Sequence, residues 1–366
     1  MNGISVAACA TVLALAAEPA RTDSTSYRIW HLNSALSGAL RPDSQPKTKH
    51  PALIGDLREV ATNRLASLLT HRPGPIETLR SAGVAQKDDP DLQATVRAVR
   101  DADVTALLAV AWTLTDDNRY LVAARAHLLA WAKVNVPTGH PIDETRLEGF
   151  LWGYDLLRSH IEEPDAMVIE AWFARILAAK SRWKFGPESS VNNHMTHHLK
   201  MMLLLHRVLG QTDQITMDLQ KVRDHLRENL SASDGSSVDF RSRDALFYHV
   251  YDLEAWVEIA LQTGCCKQEI DRAVQFLILK LGAPTPHGEF VASTSDFDRA
   301  RARGGFDYAR PGRPYDPRRA RRLGLAYSTL RPDRTVQLVD AGMGSSDLSE
   351  HELFYWLRKQ LWASEP

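Results

Sequence analysis

Hydrophobic positions recur with helical spacing through the middle of the chain. Apolar residues at i, i+3, i+4 and i+7 place one apolar stripe on a helix. Segments with this spacing are 91–115, 118–134, 143–160, 163–183, 192–210, 214–230, 243–264 and 267–282. Strand-like alternation of apolar and polar residues is scarce. The chain is therefore predicted to be all-α.

Short polar turns between the predicted helices indicate how they pack. Helices joined by short turns lie antiparallel to their neighbours, so the segments predict a series of α-hairpins. A solenoid of hairpins usually repeats with a fixed period, and this sequence shows none. A ring of hairpins, the (α/α) toroid, fits better. Residues 21–50 and 283–317 lack the periodicity and are predicted to be irregular.

An apolar run occupies residues 4–17, "ISVAACATVLALAA". It is too short to span a bilayer as a helix. Its small residues and terminal position resemble a signal peptide, although no Lys or Arg precedes it. We expect residues 1–20 to be a signal peptide and 21–366 to form one domain, which implies a periplasmic or secreted protein. The alternative is an ordinary N-terminal segment.

Charge and cysteine content narrow the classes of partner. Among 366 residues, 44 are basic and 45 acidic, so the net charge is -1. Nucleic-acid-binding domains are usually basic, and no nucleic-acid partner or membrane span is expected. Cys265 and Cys266 are adjacent and Cys9 lies in the apolar run, so the sequence contains no disulfide framework and no CxxC metal motif.

The segment "SVNNHMTHH" (190–198) opens a predicted helix and raises the possibility of a metal site. His194 and His198 share one helical face at i and i+4. The helical zinc motif also needs a glutamate after the first histidine, where this chain has Met195, and no third ligand is evident. No metal is therefore predicted. Asn192 or Asn193 is expected to cap the helix.

A second cluster of polar and aromatic residues occupies "DFRSRDALFYHVYDLEAW", residues 239–256. If this segment is one helix, Arg241, Tyr248 and Asp252 project on related faces. Taken singly, Tyr248 is better explained as a half-buried core residue and Arg241 as a surface charge.

The two segments together resemble the alginate lyases and related polyuronate lyases. The resemblance rests on "NNH" at the start of one helix and R-x-x-x-A-L-x-Y-H on a later one, with Tyr248 54 residues after His194. Residues 140–158 and the "HGEF…S…FD..RA" segment (287–300) are also similar to family members. The resemblance implies an incomplete (α/α) toroid with a deep cleft. It also implies a monomeric enzyme without cofactor, acting on an anionic polysaccharide.

The family's reaction is β-elimination on a 1,4-linked uronic acid polymer. By this resemblance, Asn193, His194 and Arg241 would contact the substrate carboxylate and Tyr248 would protonate the leaving O4 oxygen. Tyr248 would also remove the C5 proton in a syn elimination, whereas His194 would be the base in an anti elimination. Classical alginate lyases continue with Ser-Tyr-Trp where this chain has Met195-Thr196-His197. Polyglucuronate is therefore a candidate substrate beside alginate or polymannuronate.

Further residues are expected to bind substrate, each with a structural alternative. A tryptophan on an amphipathic helix is more often a core residue, and a histidine beside the motif tyrosine is as readily structural. The Arg-rich stretch 299–322 is either a solvated surface or an electropositive rim that attracts a polyanion. The predicted substrate-binding residues are Asn192, Arg146, Trp152, His198, His249 and Glu289.

Three other classes of protein compete with the lyase. An α/α-barrel glycoside hydrolase needs a carboxylate pair, for which Asp143, Glu144 and Glu289 are the candidates. A non-catalytic polyuronate-binding protein would keep the fold and not the chemistry, yet both motif residues, His194 and Tyr248, are present. A zinc enzyme is the third.

Overall fold

The computed structural model describes residues 51–332 and 348–361. The predicted signal peptide, 1–20, and the predicted irregular segment 21–50 lie outside these residues. Across the described part of the chain the secondary structure is helical, apart from two isolated β-bridges, Leu230–Ser237 and Gly288–Pro314. The all-α prediction is confirmed.

The helices fall close to the predicted segments. They are α1 (Pro51–Asn63), α2 (Pro90–Ala98), α3 (Arg100–Thr115), α4 (Asn118–Val134), α5 (Glu148–Leu157), α6 (Glu163–Arg182), α7 (Asn193–Val208), α8 (Thr212–Asn229), α9 (Val238–Arg243), α10 (Leu246–Thr263), α11 (Lys267–Leu281), α12 (Asp296–Arg303), α13 (Arg321–Leu330) and α14 (Glu350–Leu361). Single 3₁₀ turns occupy Leu65–Thr70, Thr145–Leu147, Arg158–His160, Asp307–Ala309 and Pro317–Ala320.

Two predicted segments differ from the observed elements in ways that matter below. The segment expected to run as one helix through 239–256 is split, because Asp244 has a positive φ of 51° and Ala245 is extended. A left-handed residue ends a helix. The region 283–317, predicted to be irregular, contains the short helix α12.

Six helices form an inner ring. In the order α3, α5, α7, α10, α13 and α14, each packs on the next, and α14 returns to contact α3. Helices α4, α8 and α11 pack outside on α3, α7 and α10 respectively, and α6 packs against both α4 and α7. This is the predicted ring of antiparallel hairpins, and the toroid fold is confirmed.

Close approach of α3 and α5 holds one side of the ring. A Cβ at Gly149 would lie 2.4 Å from the carbonyl oxygen of Ala102, and one at Gly153 would lie 3.0 Å from the Thr105 side chain. Side chains larger than hydrogen would separate the two backbones. Helix α3 is consequently buried along most of its length.

Ion pairs fill the middle of the ring. Lys200 on α7 pairs with Glu148 on α5, and Arg358 on α14 pairs with Glu258 on α10 through N–O distances of 2.5 and 3.1 Å. Glu258 also acts electrostatically on Lys200. Buried charges require such partners, because an unpaired one would be costly to desolvate. The ring is therefore closed by charge pairs rather than open as a pore.

His249, one of the predicted substrate-binding residues, is buried between the inner helix α10 and the outer helix α11. It is 0% exposed. Its Nδ1 lies 3.0 Å from the Ser237 hydroxyl, and its Nε2 donates to the Ala273 carbonyl at 3.1 Å. Burial lowers the pKa of His249 to about 4. Its contacts are structural: it joins α10 to α11 and to the residue that caps α9.

Replacing His249 by glutamine should change how stability depends on pH. The depressed pKa means that the unfolded state binds the proton more strongly between about pH 6.5 and 4, so wild-type stability is lost as pH falls through that window. The His249→Gln variant has no titrating group at this position, so its stability lacks this dependence on pH. Urea unfolding should show the stability advantage of wild type over the variant shrinking by about 3 kcal/mol from pH 7 to pH 4. A constant difference across this range would contradict the prediction.

Candidate active site

The amino-terminal ends of several inner helices meet on one side of the ring. Asp103, in the first turn of α3, accepts from His351 at the start of α14 and from Arg146 just before α5, each at 2.5 Å. Helix amino termini carry unpaired N–H groups and a partial positive charge. This mouth of the ring therefore favours anionic ligands.

The paired asparagines organise the start of α7. Asn192 caps the helix, and its side-chain oxygen accepts from the His194 amide at 3.0 Å. Asn193 is buried, and its backbone and side-chain nitrogens both donate to the carboxylate of Asp239 on α9. Burial raises the pKa of Asp239 to about 6. The amide nitrogen of Asn193 is thus already used inside the protein.

His194 projects at the mouth beside a second histidine. Its ring centroid lies 5.8 Å from that of His140, edge to face. Burial, the neighbouring His140 and the positive charge of Arg243 lower the pKa of His194 to about 4. The His140 Nδ1 accepts from the amides of Ile142 and Asp143, which leaves the proton of the neutral ring on Nε2. Both rings are neutral near pH 7.

Tyr248, in the first turn of α10, is covered by an arginine. The guanidinium carbon of Arg243 lies 3.3 Å from the centre of the Tyr248 ring, a close cation–π contact. Arg243 is fixed by Asp298 on α12, which accepts from both Nε and Nη2. Arg243 also acts electrostatically on His194 and on Asp239, so this one cation connects the two motif segments.

Arg301 approaches Tyr248 from the other side. Its Nη1 lies 3.4 Å from the Tyr248 hydroxyl and 2.6 Å from that of Tyr308. The same guanidinium donates to the carbonyls of Ser81 and Val84 at 3.3 and 3.0 Å. Two cations therefore contact Tyr248, Arg243 over its ring and Arg301 at its hydroxyl.

Glu289 holds the helix that carries Tyr248. Its two carboxylate oxygens accept from the amides of Leu246 and Phe247, each at 2.9 Å, and it is 3% exposed. Burial raises the pKa of Glu289 to about 7. Ala245 stands at the cap position without a side chain able to do this, so Glu289 serves as the cap from a distant loop. It was predicted to bind substrate, but both of its oxygens are occupied.

Arg241 does not reach this cluster. The break at Asp244 puts it on the separate helix α9, where its guanidinium donates to the carbonyls of Ser236 and Asn229. The expectation of a shared face for Arg241 and Tyr248 assumed one continuous helix. The arginine that contacts Tyr248 is Arg243, two residues later.

Two more of the predicted substrate-binding side chains lie elsewhere. Trp152 is 1% exposed and stacks on Phe354 at 4.6 Å between ring centroids, inside the core. His198 contacts Phe185 and lines a cavity between α7 and α8, away from His194. Arg146 does lie at the mouth, beside Asp103, but it lines a neighbouring cavity rather than contacting Tyr248.

The residues that follow the histidine motif are also turned inward. Thr196 is 0% exposed and bonds to Asp252 and His225. His197 stacks on Tyr251 at 4.2 Å and bonds to the Thr145 hydroxyl. Of this triplet, expected to alter the substrate subsite, Thr196 and His197 are buried, whereas Met195 is half-buried and lines the same cavity as His198.

The carboxylates proposed for a glycoside hydrolase are occupied. Asp143 Oδ1 accepts from the amides of Ser81 and Ala82, both at 2.7 Å. Glu144 Oε1 accepts from the amide of Gly139 at 3.0 Å, and the buried Lys180 pairs with its other oxygen at 3.6 Å. With Glu289 capping α10, none of the three is placed as a free acid or base. This arrangement weighs against the hydrolase.

Several residues of the cluster were missed in the sequence. Arg243 was visible as a second arginine in "RSRD", but its position depends on the turn at Asp244. Arg301 and Tyr308 belong to the loop region 283–317 and meet Tyr248 only through tertiary packing. The sequence signal for His140 was its place in "HPIDE", a segment noted only for its general similarity.

Residues 51–332 and 348–361 contain neither a metal-binding cluster nor a membrane-spanning helix. Within them no group of three or more His, Cys, Asp or Glu side chains is arranged to hold a metal ion. Nor does any helix in these residues have the length and apolarity required to cross a bilayer.

Comparisons with known proteins point to one family. The family model described as "Alginate lyase" matches residues 47–263. An alginate lyase from Bacteroides ovatus has a TM-score of 0.59 and 14% identity, over 92% of this chain and 96% of that one. The apo form of a histidine-to-alanine variant of alginate lyase A1-III has a TM-score of 0.52 and 15% identity, over 86% and 94%. At these identities the structures support the fold alone. No curated protein sequence matches the chain.

Removing the Glu289 carboxylate should loosen the start of α10. Glu289→Ala leaves two buried amides without acceptors, which should lower the free energy of unfolding by about 2 kcal/mol. Glu188→Ala, at an exposed glutamate whose side chain caps nothing, is the matched control and should stay within about 0.5 kcal/mol of wild type. Denaturant unfolding measures both. Equal stability of the two variants would rule out the capping role.

Proposed function

The chain belongs to the alginate lyase family, and we propose that it cleaves a 1,4-linked uronic acid polymer by β-elimination that needs no metal. As a member of this family it is a polysaccharide lyase. The observation that supports the proposed mechanism is the position of Tyr248 at the mouth of the ring, with Arg243 over its ring and Arg301 near its hydroxyl. Arg243 also acts electrostatically on His194, which is neutral near pH 7.

Arg243, rather than Arg241, is assigned the contact with the substrate carboxylate. The C5 proton of a uronate is weakly acidic because its removal builds negative charge beside a carboxylate. A cation at that carboxylate stabilises the transition state electrostatically. Nε and Nη2 of Arg243 donate to the carboxylate of Asp298. The two N–H groups of Nη1 can therefore donate to a substrate oxygen. Asn193, whose amide nitrogen is held by Asp239, acts by positioning α9.

Tyr248 is assigned both proton transfers. As the phenolate it takes the C5 proton. The electron pair of the C5–H bond then forms the C4–C5 double bond as the C4–O4 bond breaks, and the phenol returns the proton to O4. His194 has a pKa of about 4, so it is a weak base near neutral pH and serves better as a hydrogen-bond partner of the substrate. One residue acting on one face of the sugar corresponds to syn elimination.

Syn elimination narrows the substrate. In D-mannuronate and D-glucuronate, the C5 hydrogen and the O4 substituent lie on the same side of the ring, and these two sugars differ only at C2. In L-guluronate they lie on opposite sides. We therefore propose polymannuronate or polyglucuronate as the substrate rather than polyguluronate.

Export fits a polymer substrate. The apolar run at residues 4–17 supports a signal peptide and hence a periplasmic or secreted enzyme. Sequencing the amino terminus of the mature protein would show whether the signal peptide is removed.

Tyr248→Phe should abolish lyase activity without unfolding the protein. The variant keeps the ring packed under Arg243 and loses only the hydroxyl that moves the proton. The assay follows the ultraviolet absorbance of the unsaturated uronate product on polymannuronate, polyglucuronate and polyguluronate, with circular dichroism as the folding control. Full activity of the variant would reject the assigned mechanism. A folded wild-type protein that leaves all three polymers intact would reject the proposed substrate.

Replacing each of the two arginines by glutamine in a separate variant should identify the one that stabilises the transition state. Arg243→Gln removes the cation over Tyr248, so kcat/KM should fall by about 100-fold or more. Arg241→Gln is the matched control, two residues away on the same short helix, and should keep activity within about threefold. If the folded Arg241→Gln variant lost activity and the folded Arg243→Gln variant kept it, Arg241 would be the residue that binds the substrate carboxylate.

A further inference from the structure

Two adjacent cysteines, Cys265 and Cys266, lie in the turn between α10 and α11. Helix α10 ends at Thr263, Gly264 follows with a φ of 70°, and Cys266 directly precedes α11. Both thiols are free, and both residues are partly exposed while packing on one side against the hydrophobic core. Tyr248 lies at the opposite end of α10, so the pair is outside the candidate active site.

The backbone of the turn brings the two thiols together. Successive side chains point to opposite faces of a strand and lie about 100° apart on a helix, so neighbours rarely meet. Cys266 instead has a φ of 63°, a left-handed conformation that is uncommon outside glycine, asparagine and aspartate. The Sγ atoms of Cys265 and Cys266 lie 2.7 Å apart. A small movement would bring them to the ~2.05 Å of a disulfide bond.

The contact also makes the two thiols chemically unequal. A hydrogen bond from the Cys266 thiol to the Cys265 sulfur lowers the pKa of the Cys265 thiol to about 7 and raises the pKa of the Cys266 thiol. Arg223 on α8 acts to lower both pKa values, and Glu269 on α11 acts to raise both. The thiolate is the attacking species in thiol–disulfide exchange. Cys265 is therefore the nucleophile of the pair.

We propose that Cys265 and Cys266 form a redox modification site, a vicinal dithiol that a small-molecule disulfide oxidises reversibly to a Cys265–Cys266 disulfide. The Cys265 thiolate attacks one sulfur of the oxidant and releases the other as a thiolate, which leaves a mixed disulfide on Cys265. The Cys266 thiol then loses its proton to water, and its sulfur attacks Sγ of Cys265 and releases the second thiolate. The pair loses two electrons, and the oxidant is reduced to two thiols.

Ring strain makes this modification reversible. The Cα atoms of neighbouring residues are about 3.8 Å apart, below the roughly 4.4–6.8 Å that is usual for bridged cysteines. A strained disulfide is reduced more easily than a structural one, and labile or regulatory disulfides are of this kind. The pair should therefore follow the thiol–disulfide balance of its surroundings. It is a site of chemical modification separate from the proposed lyase reaction.

Mass spectrometry after equilibration with glutathione tests the site. Every protein is the full chain carrying Cys9→Ser, so that the pair supplies its two remaining thiols. The ratio of reduced to oxidised glutathione is varied, free thiols are alkylated, and the mass of the tryptic peptide 244–267, which contains both cysteines, is measured. As oxidised glutathione increases, this peptide should escape alkylation and lose the mass of two hydrogen atoms. Dithiothreitol should reverse the change.

Single substitutions are the matched controls. Cys265→Ser and Cys266→Ser each keep one thiol and lack its partner, so each should carry one glutathione instead of losing two hydrogen atoms. Circular dichroism checks that the variants are folded. A folded pair that keeps two free thiols across the whole glutathione series, or that forms only glutathione adducts or dimers linked between chains, would overturn the proposal.

The pH dependence of alkylation tests which sulfur attacks. With both cysteines present, the first alkylation should fall on Cys265 with a pH midpoint near 7. Cys266→Ala removes the hydrogen-bond donor, so the midpoint for Cys265 should rise by about one pH unit or more towards that of an ordinary thiol. Prior alkylation of Cys266, or an unchanged midpoint in the folded Cys266→Ala variant, would contradict the assigned roles.

Discussion

Helix α10 begins inside the protein, and the amides of its first turn need acceptors that the helix cannot supply. Glu289 supplies both, from a loop 43 residues away in sequence. The same loop docks on the turn at Asp244, whose carbonyl accepts from the amide of Phe290. This contact sets where α10 starts and hence where Tyr248 projects. The position of Tyr248 therefore depends on this one carboxylate.

The turn at Asp244 also decides which arginine contacts Tyr248. By ending α9, it sends Arg241 to the carbonyls of Ser236 and Asn229 and lays Arg243 over the Tyr248 ring. In the proposed mechanism, an arginine at cation–π distance from this phenol, and fixed by Asp298, needs no rearrangement when charge develops. The local backbone, not the motif spacing, therefore determines which guanidinium group lies over Tyr248.

These dependencies separate what the sequence could predict from what it could not. Amphipathic periodicity is a local property, so the helices and the ring they form could be predicted, as could the Asn192 cap and the pairing of the His194 and Tyr248 segments. The break at Asp244 could not, because a non-glycine residue with positive φ leaves little trace in sequence. The same holds for Glu289 and Trp152, whose roles depend on partners distant in the chain.

The Arg-rich stretch shows why composition alone cannot describe attraction of a polyanion. Most of its arginines already have partners, as Arg299 has Asp296 and Arg318 has Asp316. Such exposed pairs present little net field to a ligand. The attraction must come from cations that no nearby acid neutralises, such as Arg319, and from the helix amino termini gathered at the mouth. A chain of net charge -1 can thus hold a polyanion, because its positive potential is concentrated at the mouth, where we propose that the polymer binds.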